Sequence, residues 1–135
     1  MVKEELKVLS EFDGWELKGV LLIPEGSPKG IVQLVHGMTE HKYRYRDLMN
    51  FLVGKGYVVV AHDHRGHGES VQNDEDLGWF GDDTSKAIVE DCVQVTKYVR
   101  KRFPNLPLTL YGHSMGSLVV RCYIRDYDEY IDKLV

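Results

Sequence analysis

A glycine-flanked serine, within residues 112–116, is the feature that most constrains how this chain folds. An apolar run typical of a strand comes directly before it, at residues 106–111, and a helical pattern follows at residues 117–127. The segment reads Gly112, His113, Ser114, Met115 and Gly116. Glycines at both ends let the backbone turn sharply enough to present the serine hydroxyl above the end of a sheet. The pattern therefore predicts a strand, a tight corner and a helix, with Ser114 at the corner.

Two further continuous apolar runs, at residues 31–35 and 57–61, predict strands that are buried on both faces. Before them, an Asp13-Gly14 turn predicts an opening hairpin. The hairpin strands are expected at residues 6–12 and 15–23. Helices are expected at residues 45–55, from Asp83 or Thr84 to residue 102, and at residues 117–127. A fourth buried strand is expected to begin within residues 131–135. This order predicts an α/β fold with a mostly parallel sheet and flanking helices.

Three polar motifs follow directly on the predicted parallel strands. His36, Gly37 and Met38 follow the first strand, residues 63–68 follow the second, and Ser114 follows the third. The carboxyl ends of parallel strands lie at one edge of a sheet, where ligands of doubly wound sheets bind. We therefore expect the three motifs to form one site.

The size and composition of the chain limit its domain organisation, its partners and its location. A chain of 135 residues predicts a single domain over residues 1–135, and the formal net charge of −4 gives no electrostatic reason to expect nucleic-acid binding. No window approaches the roughly 18 apolar residues of a membrane-spanning helix, and the N-terminus lacks the apolar core of a secretory signal. Cys92 and Cys122 lie among apolar neighbours, which favours buried thiols in a reducing, cytoplasmic compartment.

Ser114 is the candidate nucleophile. A serine hydroxyl is a weak nucleophile at neutral pH and needs a histidine base that a carboxylate orients. The negative charge that develops on an attacked carbonyl oxygen needs preorganised donors, which in this architecture are backbone N–H groups. Met115 is the expected first donor and Met38 the second, with Gly37 and Thr39 as alternatives one residue away. The competing interpretation is that Ser114 only caps the following helix.

The other polar residues of the motifs are expected to be structural. His36 is expected to support its loop rather than take part in catalysis. Asp63 and Arg65 are expected to pair with each other and to brace the turn that contains Gly66 and Gly68. The charged cluster at residues 97–102 is expected to be the basic last turn of a helix.

The second motif also holds His62, His64 and His67, which raises the question of a metal site. Their spacing across a glycine turn gives no well-formed tetrahedral set, so neither a metal nor a cofactor is expected. Three aromatic residues are expected to pack within the fold, with the lining of a substrate entrance as the alternative: Tyr43, Tyr45 and Trp79.

Taken together, the motifs resemble those of the α/β-hydrolase superfamily, in its monoacylglycerol lipase, lysophospholipase and serine-aminopeptidase-like branch. The matching segments are residues 35–41, 56–57, 63–70 and 112–116. The resemblance implies a serine hydrolase of carboxylic esters, with a small-molecule ester or lipid as substrate and an acyl-enzyme on Ser114. In that mechanism the Met115 and Met38 amides hold the oxyanion, and water releases the acyl group. A peptidase or an acyltransferase of the same fold is the alternative among enzymes.

The chain departs from the family pattern after the serine. The family order is Ser, then Asp or Glu, then His, but residues 115–135 contain no histidine. Their acidic residues fall too early to supply the triad acid: Asp126, Asp128, Glu129 and Asp132. The chain is therefore expected to be the N-terminal half of the fold, without the lid, the triad acid or the triad histidine, and inactive alone. The alternative function is a non-catalytic fragment that self-associates through an exposed C-terminal sheet edge.

Overall fold

A computed structural model describes residues 1–11, 13–37, 41–70 and 84–135, with the side chains of residues 84 and 85 excepted. The strands within these residues are β1 (Val2–Leu9), β2 (Glu16–Ile23), β3 (Gly30–Val35), β4 (Tyr57–His62), β5 (Leu108–Gly112) and β6 (Lys133–Leu134). The helices are α1 (Arg46–Gly54), α2 (Thr84–Arg102) and α3 (Met115–Tyr127), with 3-10 turns at Lys42–Tyr45 and Asp128–Tyr130. None of these helices is both long and apolar enough to cross a lipid bilayer.

The strands form one mixed sheet in the order β1-β2-β4-β3-β5-β6. The hairpin strands β1 and β2 are antiparallel, and β2 is antiparallel to β4. The other neighbours, from β4 through β3 and β5 to β6, are parallel. Leu34 pairs with Ala61 and Val35 with Gly112, so three parallel strands end at the same level. The predicted α/β class with an opening hairpin is confirmed.

Apolar side chains cover both faces of this sheet, as the continuous apolar runs require. One face packs against α2 and α3 through residues such as Val60, Val93 and Tyr123, and the other packs against α1 through Val59 and Met49. The buried polar residue of β3 is satisfied within this core, because Gln33 donates to the Cys92 carbonyl oxygen and accepts from Thr96. The strands are thus held between two helical layers.

Some boundaries and burials differ from the sequence prediction. β1 begins at Val2, because its alternating residues pair with β2 along their whole length. α3 begins at Met115, directly after the serine. The expectation that both thiols are buried is wrong for Cys122, which is exposed, while Cys92 is buried. β6 is only two residues long, and it is exposed rather than buried because it lies at the edge of the sheet.

Candidate active site

Ser114 lies at the corner between β5 and α3 in a backbone conformation that ordinary residues avoid. Its φ is 58° and its ψ is −119°, and among the described residues it is the one non-glycine residue with positive φ. Such backbone strain is costly and is concentrated at functional sites. The conformation leaves the serine exposed above the end of the parallel strands.

The glycines on either side of this corner are required by close packing. A Cβ atom on Gly112 would come within 2.5 Å of the Gly116 carbonyl oxygen. A Cβ atom on Gly116 would collide with the Val35 carbonyl oxygen and would lie 2.8 Å from that of His36. The first turn of α3 therefore packs directly on the end of β3, which brings Ser114 beside the loop that follows β3.

The Ser114 hydroxyl does not cap the helix. The capping interpretation requires a hydrogen bond from an N–H group in the first turn of α3 to the Ser114 side chain, and this hydrogen bond is not present. Met115 is the first residue of α3, so its N–H lies ahead of the intrahelical ladder. Hydrogen bonds inside the corner come from the next residues instead, from Gly116 N–H to the His113 carbonyl and from Ser117 N–H to the Ser114 carbonyl.

The motif after β3 is joined to the motif after β4 by a histidine pair. The backbone N–H of His64 donates to Nε2 of His36 at 2.9 Å, and the ring of His64 contacts the His36 carbonyl oxygen through Nε2, also at 2.9 Å. His36 Nδ1 contacts the Gly37 carbonyl oxygen at 2.7 Å. Both side chains are buried. His36 therefore lies between the two loops and contacts both of them.

A buried lysine holds the chain just after the β3 loop. Both the backbone N–H and the Nζ of Lys42 donate to the Asp63 carboxylate, at 2.6 and 2.7 Å, and Nζ also donates to Glu69. Burial alone would raise the pKa of Asp63, but the donors from Lys42 and the Glu69 backbone outweigh it and hold that pKa below its ordinary value. The ionised carboxylate thus ties the two loops together at neutral pH.

The expected ion pair between Asp63 and Arg65 is wrong. Both residues follow the end of β4, where the chain leaves the extended conformation and enters a turn, so Asp63 faces Lys42 while Arg65 faces the hairpin and α2. Arg65 donates from Nη1 to Asp13 at 2.7 Å and from Nε to Asp91 at 2.7 Å. Its guanidinium also lies 4.9 Å from the centre of the Trp15 ring. Gly66 and Gly68 follow in a turn with φ of 74° and 50°, as expected.

Aromatic rings lie beside the serine corner. The ring of Tyr45 is 6.3 Å from that of Tyr111 and 6.2 Å from that of His113, edge to face in both cases. Tyr43 lies under the Nζ of Lys42, at 4.7 Å from the ring centre. Tyr43 and Tyr45 pack against the protein, and Tyr45 also borders the open side of the corner. The remaining expectations, for Met38, Thr39 and Trp79, fall outside the described residues.

Two residues that organise the site were missed by sequence reasoning, Lys42 and Asp91. From the sequence, a lysine in a polar loop is expected to be solvated, and a single acidic residue on a charged helix is expected to lie at the surface. Only the tertiary partners, Asp63 and Arg65, show that both are buried. A weak signal was present for Asp91, because it stands beside the apolar positions that α2 turns towards the sheet.

Comparisons with known proteins agree with this geometry. Residues 26–135 match the family model described as Serine aminopeptidase, S33. Human monoglyceride lipase is 35% identical over 116 residues, which are 86% of this chain and 37% of the lipase. The monoacylglycerol lipase of Mycolicibacterium smegmatis is 37% identical over 103 residues, or 74% of this chain and 34% of that protein.

A solved structure is similar over nearly the whole chain. A highly thermostable carboxyl esterase from Bacillus coagulans, in complex with glycerol, superposes with a TM-score of 0.92 at 34% identity. The superposition covers 99% of this chain and 43% of the esterase. The chain thus spans little more than a third of the curated relatives and less than half of this structure.

Proposed function

Because this chain belongs to the serine aminopeptidase S33 family of α/β-hydrolases, we propose that it carries the nucleophile of a carboxylic-ester hydrolase of the monoglyceride lipase type. The observation that carries the proposal is the exposed, positive-φ Ser114 at the β5–α3 corner, directly ahead of the Met115 N–H. The proposed substrate is a small-molecule ester or lipid. Support for that class comes from the names of the relatives, monoglyceride lipase and carboxyl esterase.

In the proposed reaction, Ser114 Oγ attacks the ester carbonyl carbon and forms a tetrahedral intermediate. The N–H of Met115 donates to the oxyanion, aided by the positive end of the α3 dipole, and the N–H of Met38 is the proposed second donor. Collapse of the intermediate releases the alcohol and leaves the acyl group on Ser114. Water then attacks this acyl-enzyme, releases the fatty acid and restores the serine.

The reaction also needs a base and an acid that this stretch does not supply after the nucleophile. Residues 115–135 contain no histidine, and the earlier histidines His36 and His64 are engaged with each other. We therefore expect the 135 residues alone to be nearly inactive on esters. An oxyanion hole and substrate binding without the triad leave roughly 10³–10⁴-fold acceleration over water.

Serine labelling tests the proposal. In a folded protein that contains these residues and the rest of the triad, a fluorophosphonate is expected to label Ser114 covalently, and the S114A variant is expected to lose the label. The S117A variant is the matched control, because Ser117 lies three residues after Ser114, in the first turn of α3. A folded protein that is not labelled, or one in which S114A labels as well as the parent, contradicts the proposal.

A second role is supported by a different observation, the exposure of the last strand. Leu134 is 39% exposed and Val135 is 67% exposed, at the parallel edge formed by β6. An unpaired strand edge offers N–H and C=O groups to another chain. Self-association of this chain through β6 is therefore the alternative to a catalytic role, and it is testable separately.

A further inference from the structure

Two histidines and a cysteine converge behind the candidate active site, on the side of the sheet that α2 covers. His62 is the last residue of β4, His64 follows it by two residues, and Cys92 lies on α2. Each side chain is fully buried. One possible ligand atom from each residue lies within 4.8 Å of the other two.

The imidazoles of this cluster have unused polar atoms. Both ring nitrogens of His62 and the Nδ1 atom of His64 are buried and have no hydrogen-bond partner within the part of the chain that the structure describes. Buried polar atoms without a partner are rare in folded proteins, and each one calls for an explanation such as an ion. Here three such atoms lie in one small space.

The hydrogen bond made by His64 fixes which nitrogen is available. Its Nε2 donates to the His36 carbonyl oxygen at 2.9 Å, since a carbonyl can only accept, and in the neutral ring this leaves a lone pair on Nδ1. A metal-binding histidine in proteins usually donates its other ring N–H to a carbonyl or carboxylate in this way. The outer partner of a metal ligand is therefore already in place.

We propose that His62, His64 and Cys92 bind a zinc ion. Two imidazole nitrogens and one thiolate are the donors that Zn²⁺ takes in proteins, and a water molecule completes a four-coordinate shell. The Cys92 S–H bond breaks as the Zn–S bond forms, and the proton passes to solvent. No carboxylate belongs to this cluster among the described residues, which disfavours Ca²⁺ and Mg²⁺.

The geometry requires a small adjustment. Zinc bonds of about 2.0–2.3 Å place tetrahedral ligands roughly 3.3–3.8 Å apart, so the side chains close on the ion by about 1 Å. The ion would link the end of β4 to α2.

This site differs from the one that the sequence spacing argued against. That argument considered His62, His64 and His67 within a single turn, where the spacing is unsuitable. The fold leaves His67 outside the cluster and brings in Cys92 from α2, which follows these histidines by about thirty residues in the sequence. A thiolate from a distant helix supplies the third ligand that local spacing lacks.

Cobalt binding tests the proposal on the chelator-treated chain. Titration with Co²⁺ is expected to give tetrahedral d–d absorption and a thiolate-to-cobalt charge-transfer band, saturating at about one equivalent. Zn²⁺ is expected to bleach both bands by displacing Co²⁺. The C92A variant is expected to lose the charge-transfer band, while C122A, which removes the exposed cysteine, is expected to keep it.

A second pair of variants distinguishes a loss of metal binding from a loss of folding. H62Q is expected to weaken Co²⁺ binding at least tenfold, and H67Q is expected to leave it unchanged, with far-ultraviolet circular dichroism confirming that each variant is folded. A charge-transfer band that survives in C92A, equal binding by H62Q and the parent, or no binding in excess Co²⁺ and Zn²⁺ overturns the proposal. Binding of copper alone overturns the assignment to zinc. S114A is expected to bind the metal like the parent, so the result is independent of the proposed hydrolase activity.

Discussion

The strained backbone of Ser114 is held by its neighbours rather than by the serine itself. A non-glycine residue at φ 58° and ψ −119° costs about 1–3 kcal/mol. Gly116 packs against the Val35 and His36 carbonyl oxygens, with no room for a side chain between them. This contact fixes the first turn of α3, so the corner cannot relax without separating α3 from β3.

A methyl group at Gly116 is therefore expected to be strongly destabilising. We predict that G116A lowers the free energy of unfolding by at least about 2 kcal/mol, because the new Cβ collides with rigid backbone. Urea denaturation followed by circular dichroism measures this difference. The control is G54A, since a Cβ at helical Gly54 meets nothing within 4 Å and alanine favours the helix by up to about 1 kcal/mol. Equal effects of the two substitutions would contradict the packing argument.

Single residues also mark the limit of sequence reasoning. The corner position of Ser114 was predictable because the local sequence, a strand before it and a helix after it, dictates its environment. Lys42 was not, because its burial depends on Asp63 and Glu69, which lie 21 and 27 residues away. Hydrophobic patterns report which way a side chain faces, but they do not report the partner that it meets.

At the scale of strands and helices, prediction succeeded where periodicity is strong. The buried runs of β3, β4 and β5 were located to within two residues, because parallel strands covered on both faces read as continuous apolar segments. Pairing between elements was not predictable in the same way. The buried ionic link between the hairpin and α2 is made by Arg65, and the sequence suggested a different partner for this residue.

Arg65 is expected to dominate the docking of the hairpin against α2. Its side chain and that of Asp91 are 1% and 0% exposed, so removing one charge leaves the other buried without compensation. We predict that R65M lowers the free energy of unfolding by about 3–5 kcal/mol, and that R65K also destabilises, because an ammonium cannot bridge two carboxylates in a fork. Urea denaturation measures both.

The control for this prediction is R102M, which removes the exposed pair with Glu4. Its effect is expected to be slight, because water screens an exposed pair. The double variant R65M with D91N is expected to be more stable than R65M alone. A parent-like stability of R65M would show that this cluster does not hold the hairpin.

The buried histidines at the end of β4 predict how the metal-free chain responds to acid. In the folded chain burial lowers the pKa of His62 to about 3, and that of His64 also falls well below the ordinary value of 6.5. At a pH between the ordinary histidine pKa of 6.5 and these lowered values, the two histidines are protonated in the unfolded chain and neutral in the folded chain. The free energy of unfolding therefore decreases as the pH falls below about 6.5, by about 1.4 kcal/mol per pH unit for each histidine.

Urea denaturation with a chelator present, at about pH 7, 6 and 5, measures this slope. The H62Q variant is expected to lose the contribution of one histidine to the slope. The H41Q variant, at an exposed histidine, controls for the effect of the substitution itself. A slope that is unchanged in H62Q would show that His62 is charged in the folded chain.

For the molecule as a whole, the exposed edge at β6 is the place where we expect the chain to self-associate. Leu134 and Val135 expose apolar surface at the edge of the sheet, where another strand could pair. We predict that the chain forms dimers or larger species at micromolar concentration, and that L134K shifts it towards the monomer. Size-exclusion chromatography with light scattering measures the mass.

The control for the edge is F51K, because Phe51 is 60% exposed on α1. If association did not depend on the β6 edge, F51K would shift the measured mass towards the monomer as much as L134K does. A clean monomer of the parent chain would contradict the self-association prediction, whatever the outcome of serine labelling.

The Arg65 cluster has a consequence for motion. It ties the turn after β1, through Asp13, to the middle of α2, through Asp91. A hairpin at the edge of a sheet would otherwise open on its own, since local openings follow local contacts. Because the hairpin and α2 share the buried Arg65 guanidinium, opening of the hairpin would expose the Asp91 carboxylate or leave it buried without its partner. Backbone amides of β1 and α2 would then exchange with deuterium as one cooperative unit.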